Sequence, residues 1–410
     1  MQFRSLVAVA ASVVISNAAG LPARAAVIVV DTHVDGVTGP LCDIRDAITA
    51  ANDDTPVGGC EVGGNGADVI DLGGLGTPIE LTHGVLPNIR GDVTITGPGA
   101  QTLTIDGLDT SQIFVIERGN VVIENLTLAN GLAAEPGRGG CVQILQDASV
   151  TLSAVHVTSC AAWSGGGIAI DAGSLNLAGS LIDGNTTTGD SGAGILNRNG
   201  SLWITTTTLS GNVANGAASA GGGVASLPPN GSAGGTTRIY SSTIADNGAT
   251  SGGNIFTDTG MSTTLTHTLV AVAKAGGNCV GALTSAGHNL STDASCALAA
   301  VGDLANTPAN LGALFDNGGS TATHALLAGS AAIDGGSAVG CFNAIGAQIP
   351  FDQRGPGYPR RTNGNLDGLV ECDIGAFETA PEPLAGALGI TAAAAIGQLA
   401  RRRSRGARIG

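Results

Sequence analysis

Two aliphatic columns return along the middle of the chain at an imperfect period. One reads Ile123, Leu152, Leu177, Ile204 and Ile239, with steps of 29, 25, 27 and 35 residues. The other lies five residues further on, at Leu128, Val157, Ile182, Leu209 and Ile244. Around these positions apolar residues come as short apolar-x-apolar segments, the two-residue period of a strand with one buried face. No segment here keeps a 3.6-residue apolar period for three turns, which excludes helical repeats. A period of 24–35 residues with a strand-like local pattern predicts a solenoid.

Polar residues and glycines follow the same period. Asn185, Asn212 and Asn247 stand three residues after the second column, and Cys160 takes that place one repeat earlier. Glycine clusters come next, at Gly139-Gly140, Gly165-Gly166-Gly167, Gly192-Ala193-Gly194, Gly221-Gly222-Gly223, Gly252-Gly253 and Gly276-Gly277. Glycine permits the positive-φ corners between short strands. Asparagines at one corner can stack as an amide ladder, and the run Thr205-Thr206-Thr207-Thr208 is expected on the outward side. The expected fold is all-β, a right-handed parallel β-helix of three-strand rungs about 4.8 Å apart, stabilised by stacking of neighbouring rungs.

The rungs are expected over 67–300. Residues 26–66 form an N-terminal cap with a helix at 42–52, in which Ile44, Ala47, Ile48 and Ala51 share a face and Asn52 can end the helix. Past 300 the repeat fades into a closing region, 301–380. Both ends carry export patterns. Residues 1–25 hold Arg4, an apolar run from Leu6 to Ala19 and an A-x-A cleavage signal at Ala23–Ala25, the layout of a secretory signal peptide. Cleavage there makes Ala26 the first mature residue. Residues 381–410 hold Pro381-Glu382-Pro383, an alanine-rich apolar stretch from Leu384 to Ala400, then Arg401-Arg402-Arg403. Seventeen helical residues span about 25 Å, marginal for a bilayer core of about 30 Å.

Charge narrows the function classes. The chain carries −15. Ten of the 17 basic and 31 of the 32 acidic residues lie at 26–380, a balance near −21. That argues against nucleic acid as a partner and favours a solvated or calcium-binding acidic surface. No resident cofactor is expected, calcium being the alternative. Eight cysteines, 42, 60, 141, 160, 279, 296, 341 and 372, read as disulfides in an exported chain. A Cys42–Cys60 bridge would pin the cap. Nearest-neighbour pairing would close loops of 17 to 31 residues, but spacing leaves the overall connectivity open. Without a C-x-x-C, a zinc or redox motif is not indicated.

Several segments resemble a known family. The PEP, apolar stretch and basic tail resemble the PEP-CTERM sorting signal of Gram-negative bacteria, with alanine in place of leucine and Gln398 inside the helix. That resemblance implies transient membrane anchoring and removal by an exosortase-type enzyme; a plain tail anchor is the alternative. CDIRDAITAAND at 42–53, GHNL at 287–290, the block at 311–338, FDQRGPGYPR at 351–360 and CDIGAFE at 372–378 resemble the choice-of-anchor Q proteins headed by a CSLREA-type motif. The implied fold is a pectin-lyase-like β-helix at the cell surface, with no active site to carry over. The glycine clusters also resemble polymorphic outer membrane protein repeats, without the phenylalanine of that pattern.

Candidate chemistry is scattered. Gly63-Gly64-Asn65-Gly66-Ala67-Asp68-Val69-Ile70-Asp71 fits one calcium-binding nonapeptide, but such sites share ions between tandem copies, so a tight turn is the expected role. A polysaccharide lyase or hydrolase would need converging carboxylates. The candidates are Asp106, Asp109, Asp171, Asp183 and Asp190, with Arg118, Arg138 and Arg198. Aspartate also favours turns for ordinary reasons. Histidines 33, 83, 156, 267, 288 and 324 lack paired spacing and are expected as solvated or capping residues. Trp163 and Trp203 are expected at core or corner positions, with sugar stacking as the alternative. Asp334 and Asp352 are expected to fix loops. The leading expectation is a secreted surface protein, structural or adhesin-like, associated with extracellular polysaccharide. The alternative is a polysaccharide lyase or glycoside hydrolase.

Overall fold

The computed structural model describes residues 25–229 and 234–380. The expected sorting segment, 381–410, and residues 1–24 of the expected leader lie outside the described residues. The chain winds as a parallel β-helix. A 15-stranded sheet forms two faces of the coil and a nine-stranded sheet forms another. A short three-stranded sheet, Ala161–Ala162, Thr186–Thr187 and Val213–Ala214, lines one corner.

The sequence columns are the core. Ile28, Ile70, Ile95, Ile123, Leu152, Leu177, Ile204, Ile239 and Leu265 pair rung to rung in register, each fully buried. The second column runs Ile79, Ile105, Leu128, Val157, Ile182, Leu209, Ile244, Val270. The 35-residue step spans the excursion between strands Val224–Leu227 and Thr236–Tyr240. The stack starts earlier than residue 67, because Val27–Val29 already pairs with Asp68–Asp71. The repeat pattern misses it because the helix and its disulfide intervene.

The helix, α1, covers Ile44–Asp53. Asp43 caps its N-terminus by accepting from the Asp46 N–H, satisfying one of the free amides there. Ile44, Ala47, Ile48 and Ala50 are buried, and Ala51 packs at the edge of the core. Asn52 does not end the helix. Asp54, at φ 52°, does, while Asn52 bonds the backbone of Asn88 and Arg90 in the neighbouring turn.

The threonine run also departs from expectation. Thr206, Thr207 and Thr208 are buried. Thr206 makes a corner at φ 43°, and Thr208 faces the closing region, which hides it from water. That region does not extend the coil. It folds back along the flank, laying Ala309, Leu326, Ala332 and Ile374 on Ala245, Leu269, Ala271 and Leu290. Four disulfides fasten the chain: Cys42–Cys60, Cys141–Cys160, Cys279–Cys296 and Cys341–Cys372.

Candidate functional site

Two ladders order the interior corners. In the first, Asn212 Oδ1 accepts from the backbone N–H (3.0 Å) and the amide (2.9 Å) of Asn185. Asn247 does the same for Asn212. The ladder then continues through Asn254 and Asn278, at 2.9 and 2.8 Å. Its other end reaches the Cys160 N–H through Asn185 Oδ1. The second ladder is of hydroxyls: Ser180, Thr207 and Ser242 each accept from the N–H of the preceding rung's corner. All these groups are buried and bonded, so they brace the fold rather than face a ligand.

The candidate carboxylates are separated. Asp106 and Asp183 lie in one outward column of the second sheet, three rungs or about 14 Å apart, beyond the spacing of paired glycosidase acids. Asp183 pairs with His156 at 2.5 Å. Asp190 accepts from Ser191, and Asp109 is exposed in a turn. Sequence reading missed Glu80, which stands beside Asp106 on the adjacent strand. Asp106 is held by Leu108 and Asn130.

One of the proposed sets does converge. Asp171 Oδ1 lies 2.9 Å from Arg198 and 3.5 Å from Arg138, and Asp171 Oδ2 accepts from Gln143 at 3.0 Å. Arg138 and Gln143 border a groove of about 440 Å³ with Gln112, Thr110 and Leu132. Arg118 is not part of it; its Nε donates to the Arg90 carbonyl.

A second groove, of about 530 Å³, opens on the outward face of the long sheet. Trp203 forms its floor, between Asn176 and Arg238 on the adjoining strands. Ala178 and Thr205 flank the ring, and Asn343 and Ile345 of the closing region overhang it. Ile345 is 87% exposed. Trp203 is therefore neither core nor corner. Period-two alternation puts it outward, opposite Leu202 and Ile204 in the core. Trp163 is 38% exposed, its ring lying over Gly189.

Two histidines are not solvated. His324 is buried between Ser210 Oγ and the Gly312 carbonyl. His267 is buried and stacked on His288, with ring centroids 5.1 Å apart; burial pushes its pKa down to about 4. It sits beside Cys341 and Cys372, whose sulfurs are committed to their disulfide. In the nonapeptide, Asp68 accepts from Ala26 and Gly64, and Asp71 from Gly73.

The closing region holds a buried charged cluster. The Arg360 Nη2 donates to the carbonyls of Asp373 (2.8 Å) and Gly375 (2.6 Å). Glu378 accepts from Thr362 and Asp373, and burial pushes its pKa up to about 8. Asp334 accepts from Gly364 and Asn365, and Asp352 from Arg354 and Glu378. Every one of these carboxylates holds loop backbone.

Fold and surface together define a disulfide-fastened parallel β-helix protein with an open aromatic groove on its flank. A scan of family models, a search of curated proteins and a search of solved structures each return no match to the chain.

Proposed function

We propose that the protein is a secreted, surface-associated structural or adhesin-like β-helix that holds extracellular polysaccharide. The observation that carries the reading is the Trp203 groove. Its lining combines an indole with amides and a hydroxyl and has no titratable group. Such a surface suits stacking and hydrogen bonding of a neutral sugar ring without chemistry on it. Export is supported by the pattern at 1–25 and by four disulfides, which persist in oxidising compartments. Among the described residues no helix is long and apolar enough to cross a membrane. Retention at the surface of a Gram-negative cell is assigned to 381–410, on its resemblance to a sorting signal cut by an exosortase-type enzyme.

The Arg138–Asp171–Arg198 cluster beside its own groove favours a second reading, a lyase or hydrolase for an acidic polysaccharide. One assay separates the two. The secreted protein is mixed with neutral and acidic polysaccharides, with calcium, and both retention and new chain ends are measured. Retention without new ends, lost in Trp203→Ala, is expected. New ends that vanish in Asp171→Asn would replace the binding reading with the enzymatic one. Retention unaffected by Trp203→Ala would overturn the groove as the binding surface.

A further inference from the structure

Asp68 is a buried carboxylate that no cation among the described residues pairs with. It is 1% exposed. Its Oδ1 accepts from the backbone N–H of Ala26 at 2.8 Å, and both oxygens accept from Gly64, at 2.9 and 3.1 Å. None of the ion pairs among the described residues reaches it. A buried charge without a counter-charge is costly. Ala26 is also the residue that the A-x-A signal at Ala23–Ala25 would leave at the mature N-terminus. Two independent observations thus meet on one nitrogen.

We propose that cleavage after Ala25 supplies the missing counter-ion: the new α-ammonium of Ala26 pairs with Asp68 and locks the first strand of the solenoid. A leader peptidase hydrolyses the Ala25–Ala26 bond with one water, leaving a carboxylate on Ala25 and a protonated amine on Ala26. The nitrogen already lies at hydrogen-bond distance, so no rearrangement is needed. The strand it starts, Val27–Val29, places Ile28 at the head of the aliphatic column and pairs with the strand that begins at Asp68. Maturation thereby finishes the outermost rung. The inference rests on the export reading above.

The test uses amine chemistry, because Lys274 is the only lysine and is exposed. The full chain is secreted from a bacterial host, its N-terminus is read by mass spectrometry, and it is treated at neutral pH with an acetylating ester. A free α-amine, with a pKa near 7.7–8.0, normally outpaces lysine near 10.4; raising it by one unit removes about tenfold of its reactive form. The expected result is an N-terminus at Ala26 that acetylates at least about tenfold more slowly, relative to Lys274, in the native protein than in urea. Asp68→Asn should restore the fast rate. A variant with one extra glycine before Ala26 should also react fast, and it serves if Asp68→Asn fails to fold. A processed Ala26 that labels equally fast in the native and urea-unfolded proteins overturns the lock and leaves export standing. Cleavage at another bond does the same. Retention of the whole leader overturns the export reading itself.

Discussion

Along the rungs from Cys160 to Ser291 the buried hydrogen-bonding side chains are amides and hydroxyls, apart from His267; in the closing region they include Asp334, Asp352, Arg360, Asp373 and Glu378. The difference follows from the backbone. In the solenoid each rung bonds its neighbours through the parallel ladder, and only the corners are left over. A neutral amide both donates and accepts, so five asparagines can satisfy corner after corner with no charge to desolvate. The closing region has one antiparallel strand pair, Leu311–Phe315 with Thr323–Leu326, three isolated antiparallel bridges and otherwise irregular chain. Its loose N–H groups need acceptors that reach far, and carboxylates take two or more each. Arg354 is sandwiched between the rings of Tyr358 and Phe377, at 4.0 and 3.8 Å, while its guanidinium bonds Asp352. Regular backbone can be finished with neutral groups, whereas irregular backbone in this chain is held by buried charge.

The comparison can be broken first at Arg360. Arg360→Met removes the donor to two carbonyls and the one cation that, among the described residues, pairs with the Glu378 carboxyl, so the closing region should lose about 3–5 kcal/mol in denaturant titration. No loss would mean the cluster does not hold the region. The corresponding lesion in the solenoid is Asn212→Ala, which orphans the N–H and amide of Asn185. About 3 kcal/mol is expected, with unfolding still cooperative.

The smallest effect is the sharpest in kind. The folded pKa of Glu378 is pushed up to about 8, above its unfolded value, so the folded state holds an extra proton between the two. Its stabilising contribution is complete below the unfolded value and is lost as pH rises through about 8. His267, pushed down to about 4, acts oppositely: stability falls as pH drops from 6.5 toward 4. Between pH 6.5 and about 8 only the glutamate slope remains of these two. Glu378→Gln should flatten it in thermal melts across that interval; an unchanged slope would assign it to another group.

Much of the solenoid was legible because it repeats. Ile123 and its column stand out through five copies, and Asn185, Asn212 and Asn247 through three. The ladder's continuation was not legible, because it steps sideways. Gly167, Gly194 and Gly223 leave room for the amide behind them, where a Cβ would lie 3.1 Å from the side-chain nitrogen; at the next rungs Asn254 and Asn278 follow the glycine pairs and carry the ladder themselves. The hydroxyl ladder escaped notice because serine and threonine alternate and Thr207 lies within a run that looks solvated. Trp203 was legible only as a sugar-stacking alternative, and its groove was not, since the other lining residues include Asn343 and Ile345, about 140 residues away. The charged cluster failed for the same reason: Asp334 bonds Gly364 and Asn365, and no local pattern announces the pairing.

Native-state hydrogen exchange of the disulfide-bonded protein, at about pH 6 and about pH 9 and corrected for the intrinsic rate, tests the central contrast most directly. The amides bonded to Glu378, those of Thr362 and Asp373, should lose protection at the higher pH while Asn185, Asn212 and Asn247 keep theirs. Equal behaviour of the two regions would contradict the account.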